Sequence, residues 1–193
     1  MTVAIIQYNA GNTCSVRFAL ERLGIEAVIS CDPETIRSAD KVILPGVGAA
    51  GAAMEHLRQT GLDRVIVSLR QPVLGICLGM QLLCAHSEEG DADCLGLTGA
   101  RVQKFRGKDK IPQTGWNRIT CLQSPLFRGV EEGSYMYFVH AYFVPRDPGT
   151  IATTDYILPY SSAIRQKNFY GVQFHPEKSG DCGQIVLSNF LDL

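Results

Sequence analysis

Short apolar runs alternate with amphipathic stretches over the first half of the chain. The apolar runs 3–7, 26–30, 40–44 and 72–76 have the length and composition of buried strands. Between them, apolar residues at helical spacing, such as Val16, Leu20 and Leu23, predict helices over 13–23, 49–59 and 63–69, a short helix or turn over 33–39, and a loop over 8–12. This alternation of strands and helices predicts a parallel sheet with helices on both faces.

Beyond Ser87 the pattern changes to shorter apolar segments joined by polar, glycine and proline turns. Residues 88–93 are a predicted polar loop, and segments 97–105, 116–121, 135–139 and 151–154 predict short antiparallel strands. Segments 161–165 and 169–174 predict a hairpin pair. A final helix is predicted to run to about Leu191, with Asp181 and Gln184 as a capping box. We find no linker or internal repeat, which predicts one domain over residues 1–193.

A glycine-flanked cysteine interrupts the fourth apolar run, in the sequence Gly75-Ile76-Cys77-Leu78-Gly79. This spacing is typical of a nucleophile elbow, with cysteine in place of the serine of hydrolases. The small residues let the strand and the following helix approach each other around a strained turn. The helix N-terminus favours the thiolate of Cys77, and the Leu78 amide is placed to donate to an oxyanion. For this motif alone, a buried structural cysteine is the alternative.

A histidine and a carboxylate lie two residues apart near the other end of the chain, in His175-Pro176-Glu177. A cysteine nucleophile needs a base, and the base needs an orienting group. In an extended segment, residues two apart lie on the same side, so Glu177 reaches the ring of His175. This second motif favours the catalytic interpretation of Cys77.

The third predicted strand ends in a glycine-rich loop, Pro45-Gly46-Val47-Gly48. Two glycines so close allow unusual backbone angles and leave amides exposed. The loop is either a plain strand-to-helix turn or a second oxyanion donor opposite Cys77.

Composition gives no sign of nucleic-acid or membrane binding and otherwise leaves the function open. The chain has 193 residues and a net charge of −1 with both signs spread along it, so nothing indicates a nucleic-acid or membrane surface. It lacks a signal-peptide pattern and any apolar run near the roughly 20 residues of a membrane span. Seven cysteines without metal-type spacing predict free thiols in a reducing compartment, most simply the cytoplasm.

These motifs resemble those of the class I (triad) glutamine amidotransferases. The resemblance rests on residues 45–48, 75–83, 115–117, 137–140 and 171–179, which follow the family's order over nearly the whole chain. Within the family, Val47, Met80 and Lys178 make the chain similar to the glutaminase subunits of imidazole glycerol phosphate synthase, an enzyme of histidine biosynthesis. The resemblance implies a flavodoxin-like three-layer α/β sandwich, with a mainly parallel central sheet, helices on both faces and a smaller antiparallel region.

The resemblance also implies a mechanism and a set of site residues. Cys77 would attack the carboxamide of L-glutamine, His175 would protonate the leaving ammonia and then activate water, and Glu177 would orient the imidazole. No metal or organic cofactor is implied. By the same resemblance, the oxyanion residues are Val47, Gly48 and Leu78, and the substrate-binding residues are Gly46, Gly79 and Gln81.

A partner is implied as well, namely a separate cyclase subunit with a (β/α)8 barrel that forms a heterodimer with the chain and receives the ammonia. The interface residues carried over are Asn12, Trp116, Asn117 and Lys178. Each has a simpler alternative where the residues alone are considered: Asn12 as a helix cap, Trp116 as a core residue and Lys178 as a solvated lysine.

One departure from the family pattern concerns the substrate's α-amino group. Ala85 stands where many relatives carry an acidic residue that contacts this group, so either Glu88 or Glu89 substitutes for it or glutamine affinity is weaker. His140 is given no chemical role. Three other functions stay open: a glutaminase for another synthase, an inactive scaffold, and a cysteine peptidase or hydrolase on the same fold.

Overall fold

Four short apolar strands from the first half of the chain form the parallel part of a central sheet. The structure is a computed structural model that describes residues 1–8 and 12–193. The strands are β1 (Val3–Ile6), β2 (Ala27–Ser30), β3 (Lys41–Leu44) and β4 (Val73–Ile76), in spatial order β4-β3-β1-β2. β1, β3 and β4 are buried at every position, as expected for strands covered on both faces.

Helices cover both faces of this sheet. They are α1 (Thr13–Arg22), α2 (Pro33–Ser38), α3 (Ala50–Thr60), α4 (Leu62–Ser68), α5 (Leu78–Leu82) and α6 (Gly180–Leu191). α1 and α6 contribute to one apolar cluster, and α2, α3 and α4 contribute to another. Each cluster also contains strand residues, so one hydrophobic core lies between the sheet and each helix layer. Among the described residues, none of the helices is long and apolar enough to cross a membrane.

The second half of the chain adds nine strands: β5 (His86–Ser87), β6 (Ala92–Asp93), β7 (Arg101–Lys104), β8 (Gln113–Arg118), β9 (Tyr135–His140), β10 (Tyr142–Phe143), β11 (Thr150–Tyr156), β12 (Leu158–Gln166) and β13 (Phe169–Val172). β11, β12 and β13 extend the central sheet with antiparallel pairs, whereas β13 runs parallel to β4. The register pairs Val172 with Ile76. This pairing brings the segment after β13 beside the segment after β4.

The remaining strands form two smaller sheets. One has the order β10-β7-β5-β6, and the other is the antiparallel pair β8-β9. The predicted fold class is confirmed: a mostly parallel central sheet, helices on both faces and a smaller antiparallel region.

Several local predictions need correction. The polar loop predicted over 88–93 contains the two-residue strand β6, which pairs with β5. α6 begins at Gly180 with Ser179 in the N-cap position, so Asp181 lies inside the helix and not at its cap. Asn12 occupies the N-cap position of α1 but makes no side-chain capping bond. Part of the loop predicted over 8–12 falls on residues 9–11, outside the described residues.

The glycines around Cys77 are required by close packing. A Cβ on Gly79 would lie 1.8 Å from the Leu44 carbonyl oxygen, and one on Gly75 would lie 2.6 Å from the Gly79 carbonyl oxygen. Both close neighbours are backbone atoms, which cannot rotate away. The Gly-x-Cys-x-Gly spacing therefore serves the approach of β3, β4 and α5.

We expect Gly79→Ala to lower the free energy of unfolding by about 3 kcal/mol, because the new methyl group overlaps the Leu44 carbonyl. The matched control is Gly99→Ala, since a Cβ there meets no atom within 4 Å. Urea denaturation of both variants measures the difference. Equal unfolding midpoints would show that the elbow has more room than the structure indicates.

Candidate active site

Cys77 stands in a strained turn between β4 and α5. Its backbone angles, φ 55° and ψ −109°, are rarely adopted by a residue with a side chain. The Cys77 amide donates to the Val172 carbonyl at 2.8 Å, so β13 holds the turn in place. The residue is buried in the fold, and its thiol lies at the start of α5. This is the geometry predicted for a nucleophile elbow.

His175 lies beside this turn because it follows β13, the strand that pairs with β4. Its amide donates to the Tyr137 carbonyl at 2.9 Å, and its own carbonyl accepts from the Ser179 hydroxyl at 2.6 Å. A 3-10 turn, Pro176–Lys178, then directs Glu177 back to the imidazole. The Nδ1 atom of His175 lies 2.8 Å from Oε1 of Glu177, and both side chains are removed from solvent.

The surroundings of His175 raise the pKa of its imidazole. Burial alone would lower its pKa, but interactions with Cys77 and Glu177 outweigh burial and raise the pKa to about 10. Its Nε2 atom has no hydrogen-bond partner among the described residues. The raised pKa favours the protonated ring at neutral pH, in which both nitrogens carry a proton.

The raised pKa of His175 predicts a pH-dependent contribution to stability. The folded pKa is about 10 and the ordinary value is 6.5, so the contribution is complete below pH 6.5 and is lost as the pH rises through about 10. We expect the difference in unfolding free energy between the wild type and His175→Asn to shrink over this range. Urea titrations at both ends of the range measure it. A difference that stays constant would contradict the shift.

Asn12 is a second hydrogen-bond partner of the Glu177 carboxylate. Its Nδ2 atom donates to Oε1 of Glu177 at 2.5 Å, across 165 residues of sequence. A left-handed backbone, with φ 87°, precedes α1 and turns the side chain away from its own helix. Sequence reasoning named Asn12 as a cap or an interface residue and missed this contact, which no local pattern signals.

A cavity of about 260 Å³ opens above the elbow, at the carboxyl ends of the parallel strands. This is close to the lower limit for small-molecule sites, roughly 300 Å³, and suits a ligand of amino-acid size. Ligands of open α/β sheets bind at this edge. The lining residues are Val47, Gly48, Cys77, Leu78, Gln81, Glu89 and 139–142.

Two glutamines are joined to each other and to Cys77 at the base of the cavity. The Nε2 atom of buried Gln81 donates to Oε1 of Gln173 and to the Tyr142 carbonyl, both at 2.9 Å. Nε2 of Gln173 in turn approaches the Cys77 sulfur at 3.7 Å. Gln173 lies in the Gln-Phe-His motif, but sequence reasoning gave it no role of its own.

The structure separates the two acidic candidates near Ala85. Glu89 lines the cavity, is half-buried, and accepts from the Ala50 amide at 2.9 Å. Burial raises the pKa of Glu89 despite that hydrogen bond. Glu88 instead accepts from the Lys104 amide and the Arg106 guanidinium on the protein surface. Of the two, only Glu89 can present a carboxylate to a ligand in the cavity.

Comparison with known proteins gives a family for this arrangement. The model of the family "Glutamine amidotransferase class-I" matches residues 4–192. The chain belongs to the class I glutamine amidotransferase family.

Similar proteins within this amidotransferase family include full-length bacterial relatives. The chain is 57% identical to the imidazole glycerol phosphate synthase subunit HisH of Bacteroides thetaiotaomicron, with all of both chains covered. It is 48% identical to the subunit of that name from Pasteurella multocida, over 98% of this chain and 97% of the relative. The amidotransferase motifs identified from the sequence therefore lie in a chain that matches these relatives from end to end.

Solved structures agree on the fold. One described as a glutamine amidotransferase superposes with a TM-score of 0.75 at 21% identity, covering 98% of this chain and 97% of the other. PurLQS from Thermotoga maritima superposes with a TM-score of 0.73 at 18% identity, covering 99% and 97%. At these identities the similarity supports the amidotransferase fold alone.

The predicted oxyanion donors of this amidotransferase are not all free. The Leu78 amide donates to the Gly46 carbonyl at 3.3 Å. Val47 and Gly48 line the cavity and are exposed, and Gly48 has a φ of 103° that suits glycine. The Leu78 amide, one of the predicted oxyanion donors, is therefore already bonded to the Gly46 carbonyl of the Pro45–Gly48 loop.

Two residues predicted to bind substrate have packing roles in the structure. A Cβ on Gly46 would lie 2.5 Å from the Tyr8 hydroxyl and 2.9 Å from the Gly79 amide nitrogen. Gly46 and Gly79 are not among the residues that line the cavity, whereas Gln81 is. Substrate contact by the two glycines stays a prediction.

Of the predicted interface residues, Trp116 and Lys178 lie together on one surface, whereas Asn117 faces the other way. Trp116 is 56% exposed, contrary to the core alternative, and packs edge-on against Tyr137 at 6.0 Å between ring centroids. The Lys178 ammonium lies over the same Tyr137 ring at 6.0 Å. Asn117 donates instead to the Asp155 carbonyl at 3.0 Å, and strand alternation places it on the face opposite Trp116.

His140 is a core histidine, in agreement with its having no assigned chemistry. Its Nδ1 lies 2.7 Å from the Tyr142 carbonyl and its Nε2 lies 3.2 Å from the Tyr160 hydroxyl. Burial lowers its pKa to about 4, so the ring is neutral. It holds the 140–142 turn that forms one wall of the cavity.

Proposed function

We propose that residues 1–193 act as one glutaminase unit, the subunit of imidazole glycerol phosphate synthase that hydrolyses L-glutamine to glutamate and ammonia for histidine biosynthesis. One observation carries the proposal: the Cys77, His175 and Glu177 arrangement lies in a chain 57% identical, end to end, to a relative named as that subunit. The other functions left open by the sequence have no comparable support.

In the first half of the reaction, Cys77 attacks the side-chain carboxamide carbon of glutamine. A tetrahedral oxyanion forms, and His175 passes its Nε2 proton to the nitrogen as the carbon–nitrogen bond breaks. Ammonia leaves, and a γ-glutamyl thioester remains on Cys77. The raised pKa of His175 favours the protonated ring, which is the state that this step requires.

In the second half, neutral His175 takes a proton from water, which attacks the thioester carbonyl. The carbon–sulfur bond breaks, glutamate leaves, and the proton returns the pair to its starting state. Glu177 stabilises the imidazolium each time it forms, and the Asn12 amide fixes the orientation of Glu177.

Glu89 is the proposed partner of the glutamine α-ammonium group. Within residues 1–8 and 12–193 it is the one acidic residue that lines the cavity, together with Cys77 and Gln81. A half-buried carboxylate favours an ammonium ligand, because the ligand replaces the water lost by the carboxylate. Glu89 would then make the contact with the α-amino group that Ala85 cannot make.

The oxyanion donors are the proposed point of regulation. The Leu78 amide is engaged by the Gly46 carbonyl, so a full oxyanion hole requires the Pro45–Gly48 loop to move its carbonyl away. Gly48, with its positive φ, is suited to such a peptide rotation. Low activity without a partner and high activity with it would follow.

The partner would be the cyclase subunit, a (β/α)8 barrel, bound as a heterodimer over the exposed side of the active site. Exposed Trp116 and Lys178 pack on the partly buried Tyr137 ring to form one aromatic and basic patch, and the Tyr137 carbonyl accepts a hydrogen bond from the His175 amide. Aromatic residues with a neighbouring cation are typical of binding hot spots. Ammonia released at Cys77 would pass across this contact to the cyclase.

We expect Lys178→Glu to weaken cyclase binding at least about tenfold, because it reverses the charge within the patch. The matched control is Arg70→Glu, an exposed cation near the amino end of β4, away from the cavity. Isothermal titration against the cyclase subunit from Bacteroides thetaiotaomicron measures both. Equal affinities for the two variants would place the interface elsewhere.

A further inference from the structure

Helix α3 follows the Pro45–Gly48 loop, which we call the oxyanion loop, and has no side-chain cap of its own. Its N-cap residue is Ala49, with φ −101° and ψ 136°, the extended conformation usual at that position. Alanine has no side-chain acceptor, and the first turn of α3 contains no acidic residue. The start of this 11-residue helix therefore lacks the local groups that normally fix a helix end.

Glu89 supplies the missing acceptor from a different part of the chain. Its Oε2 atom accepts from the amide of Ala50, the first residue of α3, at 2.9 Å. The carboxylate also lies at the positive end of the helix dipole, where negative charge is favoured. Glu89 thus acts as a cap across 39 residues of sequence.

The hairpin that carries Glu89 is firmly held against α3. His86 lies between two carboxylates, with Nε2 3.2 Å from Asp91 and Nδ1 3.3 Å from Asp93. A Cβ on Gly90 at the turn would lie only 3.4 Å from the Gly51 Cα in the first turn of α3. A braced hairpin fixes the position of the Glu89 carboxylate.

The oxyanion loop is therefore fixed at both of its ends. At its start, the buried Tyr8 hydroxyl donates to the Pro45 carbonyl at 2.7 Å. At its end, the first residue of the following helix is held by Glu89. Between these two bonds, Val47 and Gly48 are exposed at the cavity. Any rearrangement of the donors takes place between the two fixed points.

We propose that Glu89 is a positioning residue for the oxyanion loop, acting through its bond to the Ala50 amide. The inference rests on the proposed function only in that the loop serves acyl transfer at Cys77. Glu89 also lines the cavity, and a carboxylate can accept from the Ala50 amide and from the substrate α-ammonium at the same time. One side chain therefore connects substrate recognition to the geometry of the oxyanion site.

The two roles of Glu89 are separable by substitution. Glu89→Gln removes the charge but keeps an oxygen that can accept from the Ala50 amide, whereas Glu89→Ala removes both. Ala49→Ser places a capping hydroxyl at an exposed residue whose backbone already has the N-cap conformation. Combined with Glu89→Ala, it caps a neighbouring amide of the first turn without restoring the charge or the bond to the Ala50 amide.

The test uses two substrates on the full chain, both with the cyclase subunit bound. p-Nitrophenyl acetate acylates Cys77 with release of p-nitrophenolate and has no α-ammonium group, so its acylation rate reports the oxyanion geometry alone. Each rate is corrected with the same variant carrying Cys77→Ala, which removes the reaction of the other cysteines. Steady-state glutamine hydrolysis with the cyclase bound gives kcat and KM, and circular dichroism confirms that each variant is folded.

We expect acylation to be about tenfold slower in Glu89→Ala than in Glu89→Gln, part of the 10²- to 10³-fold typical of an oxyanion donor. Adding Ala49→Ser to Glu89→Ala should recover part of this loss and of kcat, because it caps another amide of the same turn, while KM for glutamine stays raised in every Glu89 variant. Equal acylation rates in Glu89→Ala and Glu89→Gln would overturn the positioning role. No Cys77-dependent acylation in the wild type would instead contradict the proposed function.

Discussion

Cys77→Ala is expected to lower glutamate release by about 10⁴-fold or more, because removal of a catalytic nucleophile leaves only the binding and oxyanion contributions. The fold should survive, since the strained backbone at φ 55° is held by the Val172 carbonyl and by the packing of glycines, not by the sulfur. Glutamate is measured with the cyclase bound, and unfolding midpoints show that the variant is intact.

The matched control for this prediction is Cys84→Ala. Cys84 is also buried, its thiol lies 3.8 Å from the Met80 carbonyl oxygen, and burial raises its pKa to about 12. A buried neutral thiol is inert. Cys84→Ala should keep turnover within about threefold of the wild type, within the range of a modest packing change. Near-normal turnover in Cys77→Ala would refute the assignment of the nucleophile.

His175→Ala is expected to reduce turnover about as strongly as Cys77→Ala, whereas Glu177→Ala should be roughly ten- to a hundred-fold milder. The base transfers the proton itself, while the carboxylate orients the ring. In Glu177→Ala, the His175 amide and carbonyl keep their bonds to Tyr137 and Ser179, so the imidazole stays near the thiol. Single-turnover thioester formation and steady-state kcat measure both losses.

His56→Ala, which changes a histidine on α3 outside the cavity, serves as the control for the loss of an imidazole. A larger loss in Glu177→Ala than in His175→Ala would reverse the roles assigned to the two residues.

Most of the fold could be predicted because its strands are continuous apolar runs and its main helices are long enough to show helical spacing. The four parallel strands and the main helices follow from apolar runs and helical spacing, and the elbow follows from its glycines. The two-residue strands β5 and β6 could not be predicted, since two residues show no alternation. The capping box failed because α6 begins one residue before Asp181, at a glycine with φ 58°.

The site shows the same division between local and long-range information. Cys77, His175 and Glu177 are recognisable because each lies in a short motif with a chemical reason. The contact between Asn12 and Glu177 joins opposite ends of the chain, and the contact between Glu89 and Ala50 joins a hairpin to a helix start. Neither pair leaves a spacing in the sequence, so only the folded arrangement could identify them.

Glutamate release from L-glutamine is the measurement that tests the central claim most directly. It should be made on the purified chain alone and on the chain with the cyclase subunit and its ribonucleotide ligand. We expect little release from the chain alone, because the Gly46 carbonyl occupies the Leu78 amide, and a sharp rise only with the loaded cyclase. Release that ignores the cyclase would contradict the assignment to imidazole glycerol phosphate synthase, and no release under any condition would contradict the glutaminase itself.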